Sequence, residues 1–328
     1  MSISQQSDPL VSVVIAVRNG AQYIALTLKS ALAQSYANLE ILVVDDESTD
    51  DTVAVVEDMA KSDSRIRLIR RPHAGPSASR NFGVSVARGD LISPLDSDDL
   101  WHPEKIAKQV RAMQASDDIG LVYCWTVDID ETDLIIPPIR AKHTVEGDVL
   151  ADVSATAGLI ESSSTPMFRK RYFEMVGGYD ETLVHAEDWK LQLALAKVCR
   201  FAVVPEHLVG YRQRSGSLSK NVDRHEAGMA VVSRWILGEW PDMPAPVRRA
   251  MTFNLKSYLA HQALANGDIV RSVRLKSQAF LAMPSQMASV DGCRFAARLL
   301  VRMLGIRGAV RANRSPGPDF KDTASWSH

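Results

Sequence analysis

A doubly wound, mostly parallel α/β sheet followed by a helical extension is the fold this 328-residue sequence predicts. Three observations predict it. Val11-Ser12-Val13-Val14-Ile15-Ala16-Val17 and Leu39 to Val44 are nearly continuous aliphatic runs, the pattern of strands buried on both faces of a parallel sheet. Strand-like and helix-like segments then alternate with short connections as far as Leu95. Beyond about residue 225 the pattern turns almost wholly helical.

The elements follow in order. Arg18-Asn19-Gly20 ends the first strand, and Tyr23 to Ala33 places Ile24, Leu28 and Leu32 on one helical stripe. Asp45-Asp46 stops the second strand, and Ser48-Thr49-Asp50-Asp51 offers N-caps to a helix from Thr52 to Lys61. Ile66 to Ile69 reads as a third strand, Ala78 to Ala87 as a helix, and Leu91 to Leu95 as a fourth strand. Gly120 to Ala157 is mixed, with a strand near Leu121 to Val127 and a polar excursion around Pro137-Pro138. Phe168 to Phe173 starts a helix ended by Gly177-Gly178, and Glu187-Asp188-Trp189 opens another running to about Val198. Phe201 to Val204 and Leu208 to Tyr211 read as two strands, and Arg212 to Lys220 as a polar, flexible loop. Val247 to Ala265 and Ile269 to Met283 make a helical hairpin, a single packing unit rather than a repeat array. Asp291 to Leu304 is a further amphipathic helix, broken by Gly305 and Gly308, and the chain from Pro316 on reads as a disordered polar tail.

Composition is that of an ordinary globular protein, 46% hydrophobic and 23% charged, and a net charge of −1 gives no reason to expect nucleic acid as a partner. The charge is uneven: from His225 onward there are 14 Lys/Arg against 7 Asp/Glu. Cys124, Cys199 and Cys293 are odd in number and far apart, which fits neither a disulfide framework nor a zinc site and suits a reducing cytosol. Met1 to Gln6 lacks the basic start and apolar centre of a signal peptide, and no apolar run approaches the roughly 18 residues of a membrane span. A cytoplasmic location is the expectation.

Asp96-Ser97-Asp98-Asp99 closes the fourth strand. Carboxylates crowded there repel one another unless a cation lies between them. A hard divalent ion with oxygen ligands suits the spot, and a diphosphate is its usual companion. The competing reading is an acidic turn before the helix at His102-Pro103-Glu104. In doubly wound sheets ligands lie beyond the carboxyl ends of the strands, where Arg18-Asn19, Asp45-Asp46 and Asp96 to Asp99 all fall.

In this order the motifs Val11-Ser12-Val13-Val14-Ile15, Glu40 to Asp50, Gly75-Pro76-Ser77-Ala78-Ser79-Arg80-Asn81, Gly89-Asp90, Leu95 to Asp99, Gly177-Gly178-Tyr179-Asp180-Glu181, Glu187-Asp188-Trp189 and Tyr211-Arg212 resemble the family 2 inverting glycosyltransferases of the GT-A fold. The resemblance implies a Rossmann-like GT-A domain over residues 9–222, with a nucleotide-sugar half at 9–115 and an acceptor half at 116–222. A helical region over 223–312 and a tail over 313–328 lie outside it.

The resemblance also implies roles. A UDP-sugar donor would be held by Ala16, Arg18, Asn19, Asp45, Asp46, Arg80, Asp96, Ser97, Arg212 and Arg214. Asp45 would accept the uracil N3–H, with Asp46 supporting the loop and Asn81 securing it. Mn²⁺ or Mg²⁺ would sit on Asp96 and Asp98 and bridge to both phosphates. Asp99 either joins them or caps the next helix. Asp188 is the implied catalytic base, at a helix start where the dipole favours its charged form. Glu187 and Trp189 would face the acceptor, Trp189 stacking on a sugar or simply packing, and His185 either lines that site or lies on an exposed loop. Arg214 stands where relatives often carry histidine, and a guanidinium clamps phosphate rather than ligating metal. Ala16 replaces a usual proline and Glu47 a usual glycine, a poor residue for positive φ.

Arg294, Arg298 and Arg302 share a face of the last helix, with Phe295, Leu299, Leu300, Met303 and Leu304 off that stripe. Two readings stay open: contact with an anionic membrane surface at the inner face of the plasma membrane, or a solvated basic face over a packed apolar one. The function implied is transfer of a sugar to a saccharide or lipid-linked saccharide acceptor in cell-envelope or surface-polysaccharide synthesis. Two alternatives are a sugar-nucleotide nucleotidyltransferase and an inactive sugar-nucleotide-binding protein. The first would favour a glycine-rich basic loop after the first strand, which Arg18-Asn19-Gly20 is not, and intact Asp98 and Asp188 argue against the second.

Overall fold

The structure is a computed structural model and describes residues 8–137, 139, 142–156, 159–214, 222–303 and 319–320. Strand β1 (Val11–Val17) pairs in parallel with β2 (Leu39–Asp46) on one side and β4 (Leu91–Pro94) on the other, and β3 (Ile66–Arg71) lies beyond β2. Helices α1 (Ile24–Leu32), α2 (Thr52–Ser62) and α3 (Pro76–Ser85) supply the crossovers. Every residue of β2 is buried, which explains its unbroken aliphatic pattern. Its one early acid, Glu40, is satisfied by Ser12 Oγ at 2.6 Å and Arg88 N at 2.6 Å. Asp45 and Asp46 do not stop this strand. They are its last two residues, in register with Arg70 and Arg71 of β3.

The second half departs further from the sequence expectation. Phe168 lies not in a helix but in a short strand, β7 (Met167–Arg169), wedged antiparallel between β4 and β6 (Ile119–Ile129). Helix α6 (Lys170–Met175) begins only after it. The two strands expected between Phe201 and Tyr211 are one, β8 (Arg200–Arg212), because a register shift opposite Cys124 and Trp125 absorbs Pro205 and Glu206. Strand β5 (Leu100–Trp101) adds to the far edge of β8, giving the order β3-β2-β1-β4-β7-β6-β8-β5.

Each face of the sheet carries a core. Val11, Val13 and Ile15 pack with α1 and with α4 (Lys105–Met113). Val14, Leu42 and Ile92 face the opposite side, where α7 (Glu187–Ala196) contributes Trp189, Leu191 and Leu193. That second core continues without a break into α8 (Val222–Glu239), α9 (Ala245–Ala265), α10 (Ile269–Ala282) and α11 (Val290–Met303), through Val232, Leu259, Leu275 and Phe295. A short helix, α5 (Leu150–Thr156), ties in through Asn254 Nδ2 donating to Ala155 O at 2.7 Å. A third, smaller cluster holds Leu100, Val127, Ile129, Ile135 and Phe320. Phe320 lies in the stretch expected to be a disordered tail, yet its ring is buried and Asp319 bridges Leu134. The remainder of that tail and positions 215–220 of the expected flexible loop lie outside the described residues.

Candidate active site

The loops after β1 and β2 are laced together. Asn19, at φ 53°, donates from its backbone N to Ser48 Oγ at 2.9 Å and accepts from Thr49 N at its Oδ1 at 2.8 Å. Gly20 N donates to Thr52 Oγ1 at 2.8 Å. Glu47 does adopt positive φ, 64°, the geometry that a glycine would accept more readily. Ala16 is half-buried within β1, and Arg18 donates to His73 Nε2 at 3.1 Å. His73 in turn donates through Nδ1 to Asp46 at 2.7 Å.

The two acids at the end of β2 differ. Asp46 also accepts from Ala74 N, Gly75 N and Ser79 Oγ, so its carboxylate organises the loop into α3. Burial pushes its pKa up, but these bonds outweigh burial and hold it below the usual carboxylate range. Asp45 is 1% exposed, accepts from Ser48 N at 3.2 Å through Oδ2, and leaves its buried Oδ1 without a partner. An unpaired buried acceptor is costly, which marks the spot for a donor from elsewhere.

The strand-end acids also separate. Asp99 is fully buried: Oδ2 accepts from Ser164 Oγ at 2.6 Å and Ser162 Oγ at 3.2 Å, and Oδ1 from Arg212 N at 3.0 Å. It neither caps the next helix nor faces outward. Burial, then the neighbouring Asp98 and Asp96, push its carboxyl well up. Asp98 is raised for the same reasons, burial first and then Asp96, against the pull of Arg214, whose Nε lies 2.6 Å from Asp98 Oδ2. Ser97 accepts from Thr27 Oγ1 through its backbone carbonyl at 3.0 Å.

Arg80 joins the two acid pairs. Its guanidinium is 2.7 Å from Asp96 Oδ1 and 3.4 Å from Glu187 Oε1, and it lies against the Tyr179 ring. Burial lowers its tendency to hold a proton, but Asp96, Tyr179 and Glu187 more than restore it. Asn81 clamps the adjacent turn, accepting from Tyr179 N and donating to Tyr179 O, both at 2.9 Å. Glu187 is pushed from 4.5 up to about 7 by burial and then by Asp188, with Arg80 opposing. Asp188 is raised by burial, held back by the Trp189 N–H it accepts at 2.7 Å and by Arg80. A small cavity of about 20 Å³, room for about one water, is lined by Asp188 with Ser162, Tyr179 and Gln192 among others.

Three assignments change. Arg212 was expected on the diphosphate, but its side chain is 0% exposed and spent on Asp98 O at 2.7 Å, Asp130 O at 2.8 Å and Asp133 Oδ1 at 2.6 Å. Of the two readings for Trp189 the packing one holds, and its acceptor placement falls: the ring is 3% exposed and donates to Val153 O at 3.0 Å. His185 is not on an exposed loop; it is buried against His225, ring centres 4.6 Å apart. Residues the sequence reading passed over include Tyr23, whose ring lies under both Arg212 and Arg214, and the Ser162–Ser164 pair that pins Asp99. The polar run Ser162-Ser163-Ser164-Thr165 ahead of Pro166 was the available signal.

The family model "Glycosyl transferase family 2" matches residues 12–177, half of the chain, and the protein belongs to that family. Among curated relatives, the succinoglycan biosynthesis protein ExoO of Rhizobium meliloti is 35% identical over 226 residues, 65% of this chain and 63% of that protein. The chain spans only about a third of the length of some other relatives, 36% and 32% in two cases. Among solved structures, S. aureus TarS in complex with UDP-GlcNAc superposes with a TM-score of 0.63 at 18% identity, covering 89% of each chain. The mannosyltransferase PcManGT of Pyrobaculum calidifontis, in complex with GDP-Man and Mn²⁺, gives 0.60 at 19% identity, covering 91% of this chain and 87% of that one. At these identities the structures establish the shared GT-A fold. The family match ends before Glu187 and Asp188, so their roles rest on geometry.

Proposed function

We propose that the protein is an inverting, metal-dependent glycosyltransferase that moves a sugar from a UDP-sugar to a saccharide hydroxyl in surface-polysaccharide synthesis. The observation that carries this is Arg80, which holds Asp96 of the donor-side acids and Glu187 of the second pair on one guanidinium. Asp45 Oδ1, buried and unpartnered, supplies the acceptor that a base N–H would need. Asp96 and Asp98 are hard oxygen donors of the kind that fit Mn²⁺ or Mg²⁺. When bound, the ion would offset charge on the departing diphosphate. Among the described residues no group of three or more His, Cys, Asp or Glu is placed to hold a metal ion, so this part of the reading rests on Asp96 and Asp98.

Asp188 takes the proton from the acceptor hydroxyl as that oxygen attacks the anomeric carbon, forming the new C–O bond while the bond to the diphosphate breaks. Glu187 steadies Arg80 and faces the acceptor, and Arg214, 40% exposed and paired with Asp98 at 2.6 Å, would exchange that carboxylate for the diphosphate when the donor binds. Arg18, Asn19 and Asp46 shape the nucleotide pocket. The domain limits given above, 9–222 and 223–312, belong to this reading, as does a cytoplasmic location with contact at an anionic membrane surface. No described helix is long and apolar enough to cross a membrane.

Calorimetry with UDP, and with GDP as the second arm, tests the reading. UDP binding should require Mn²⁺ or Mg²⁺ and should weaken in Asp98→Asn. Asp188→Asn should keep metal-dependent binding and lose transfer by ~10²–10⁴, the usual worth of a general base. Equal UDP affinity with and without EDTA would remove the metal from the scheme, and near-normal transfer by Asp188→Asn would remove the base.

A further inference from the structure

Asp319 and Phe320 are far from the acids in sequence but close in linkage. Phe320 N donates to Asp133 O at 3.1 Å, and Asp319 makes an antiparallel bridge with Leu134. The Phe320 ring, 2% exposed, fills the cluster of Leu100, Val127, Ile129 and Ile135. It lies directly on β8: a Cβ on Gly210 would come within 3.2 Å of the ring. Asp133 is held at φ 72°, a conformation that its surroundings must enforce. Its carboxylate pairs at 2.6 Å with Arg212, both groups buried. Arg212 then reaches Asp98 O with Nε and Asp99 Oδ1 with its backbone N. A buried guanidinium that lost its carboxylate would be strongly destabilised, so this chain of contacts stands or falls together.

We propose that the Asp319–Phe320 segment is a positioning element for the donor-side acids, acting through Asp133 and Arg212. The inference rests on Asp98 being a donor-side acid, as argued above. Phe320 touches no substrate. It closes the apolar cluster, fixes the Asp133 turn, and so sets where Arg212 holds the Asp98–Asp99 backbone. In this respect the C-terminal end of the chain completes a site whose acids lie more than two hundred positions earlier.

The test uses full-length Phe320→Ala and Phe320→Leu, because Phe320 belongs to neither main core and both variants should fold. Hydrogen exchange at the Arg212 amide reports the strut without any donor. Calorimetry with UDP and Mn²⁺ reports the site. Phe320→Ala should exchange faster at Arg212 and bind UDP with Mn²⁺ about tenfold more weakly, the lower end for outer-shell partners of a metal site. Phe320→Leu should restore most of both. A synthetic peptide of residues 313–328 added to Phe320→Ala should recover affinity by refilling the socket. Unchanged exchange at Arg212 overturns the proposal. Faster exchange with unaltered UDP affinity also overturns it, since Phe320 would then be packing alone. Failure of the unmodified chain to bind UDP or GDP with metal would count against the functional reading, while the exchange result would still decide the strut.

Discussion

Glu187 carries the clearest pH signature. Its carboxyl is raised from 4.5 to about 7 by burial and by Asp188. The folded chain therefore holds a proton that the unfolded chain has released between those values. Stability from this group is full below 4.5 and is lost as pH rises through about 7. The loss should be on the order of a few kcal/mol. Thermal melts from pH 4.5 to 8 should show the slope in the native chain and a flatter profile in Glu187→Gln; identical profiles would mean that Glu187 is ionised throughout. At this scale the sequence was informative where chemistry is local. It marked Glu47 as an awkward residue for positive φ, and the backbone is there at 64°. It placed Asp45 and Asp188 at element ends, where they lie, while Asp98 falls in the turn between β4 and β5. It misplaced Arg212, and left Trp189 open between acceptor and core, because a motif position does not reveal burial: both look like ligand-facing side chains until β8 and α7 fold inward.

Elements were legible when their hydrogen bonds or periodicity were local. β1, β2 and the hairpin of α9 and α10 fall within a residue or two of expectation. β7 was not, because three residues carry no period and its pairing partners, Ile92 and Leu121, come from distant strands. The entry to α7 shows how a helix start is fixed from outside. Ala186 takes φ 65° without a capping side chain. Across from it, α8 presents Gly228, where a Cβ would lie 2.3 Å from His185 O. Gly228→Ala should therefore push the turn before Glu187 and Asp188. The expected outcome is about 1–3 kcal/mol of lost stability, with transfer falling while metal-dependent UDP binding persists. Urea titration with parallel transfer and binding assays checks this, and unimpaired transfer would show that the turn yields without consequence.

For the whole molecule, charge is the informative quantity. The chain is close to neutral, yet the part from His225 on carries 14 Lys/Arg against 7 Asp/Glu. On α11 the structure shows a packed side and an outer one, as both open readings require. Phe295 and Leu299 turn inward onto the shared core, so that helix has a packed side. Arg294, Arg298, Leu300 and Met303 face outward, leaving a basic and apolar strip. That strip would meet an anionic surface by the usual sum of charge and apolar contact. Co-sedimentation should detect binding to vesicles containing phosphatidylserine, reduced by salt and in Arg294→Glu/Arg298→Glu, and little binding to neutral vesicles. Equal partition to both would leave this face as ordinary solvated surface.

The seam between α8 and the turn at His185 has a consequence for anyone recombining this enzyme with its relatives. A natural place to splice would be after β8, where the family resemblance ends. A cut there would separate Gly228 from the carbonyl it fits against, and His225 from the ring it stacks on. Chimaeras joined at that boundary would inherit a foreign helix against the turn that leads into Glu187 and Asp188. Grafts that exchange the turn and its covering helix as one block keep the fit, so this packed unit is discontinuous in sequence.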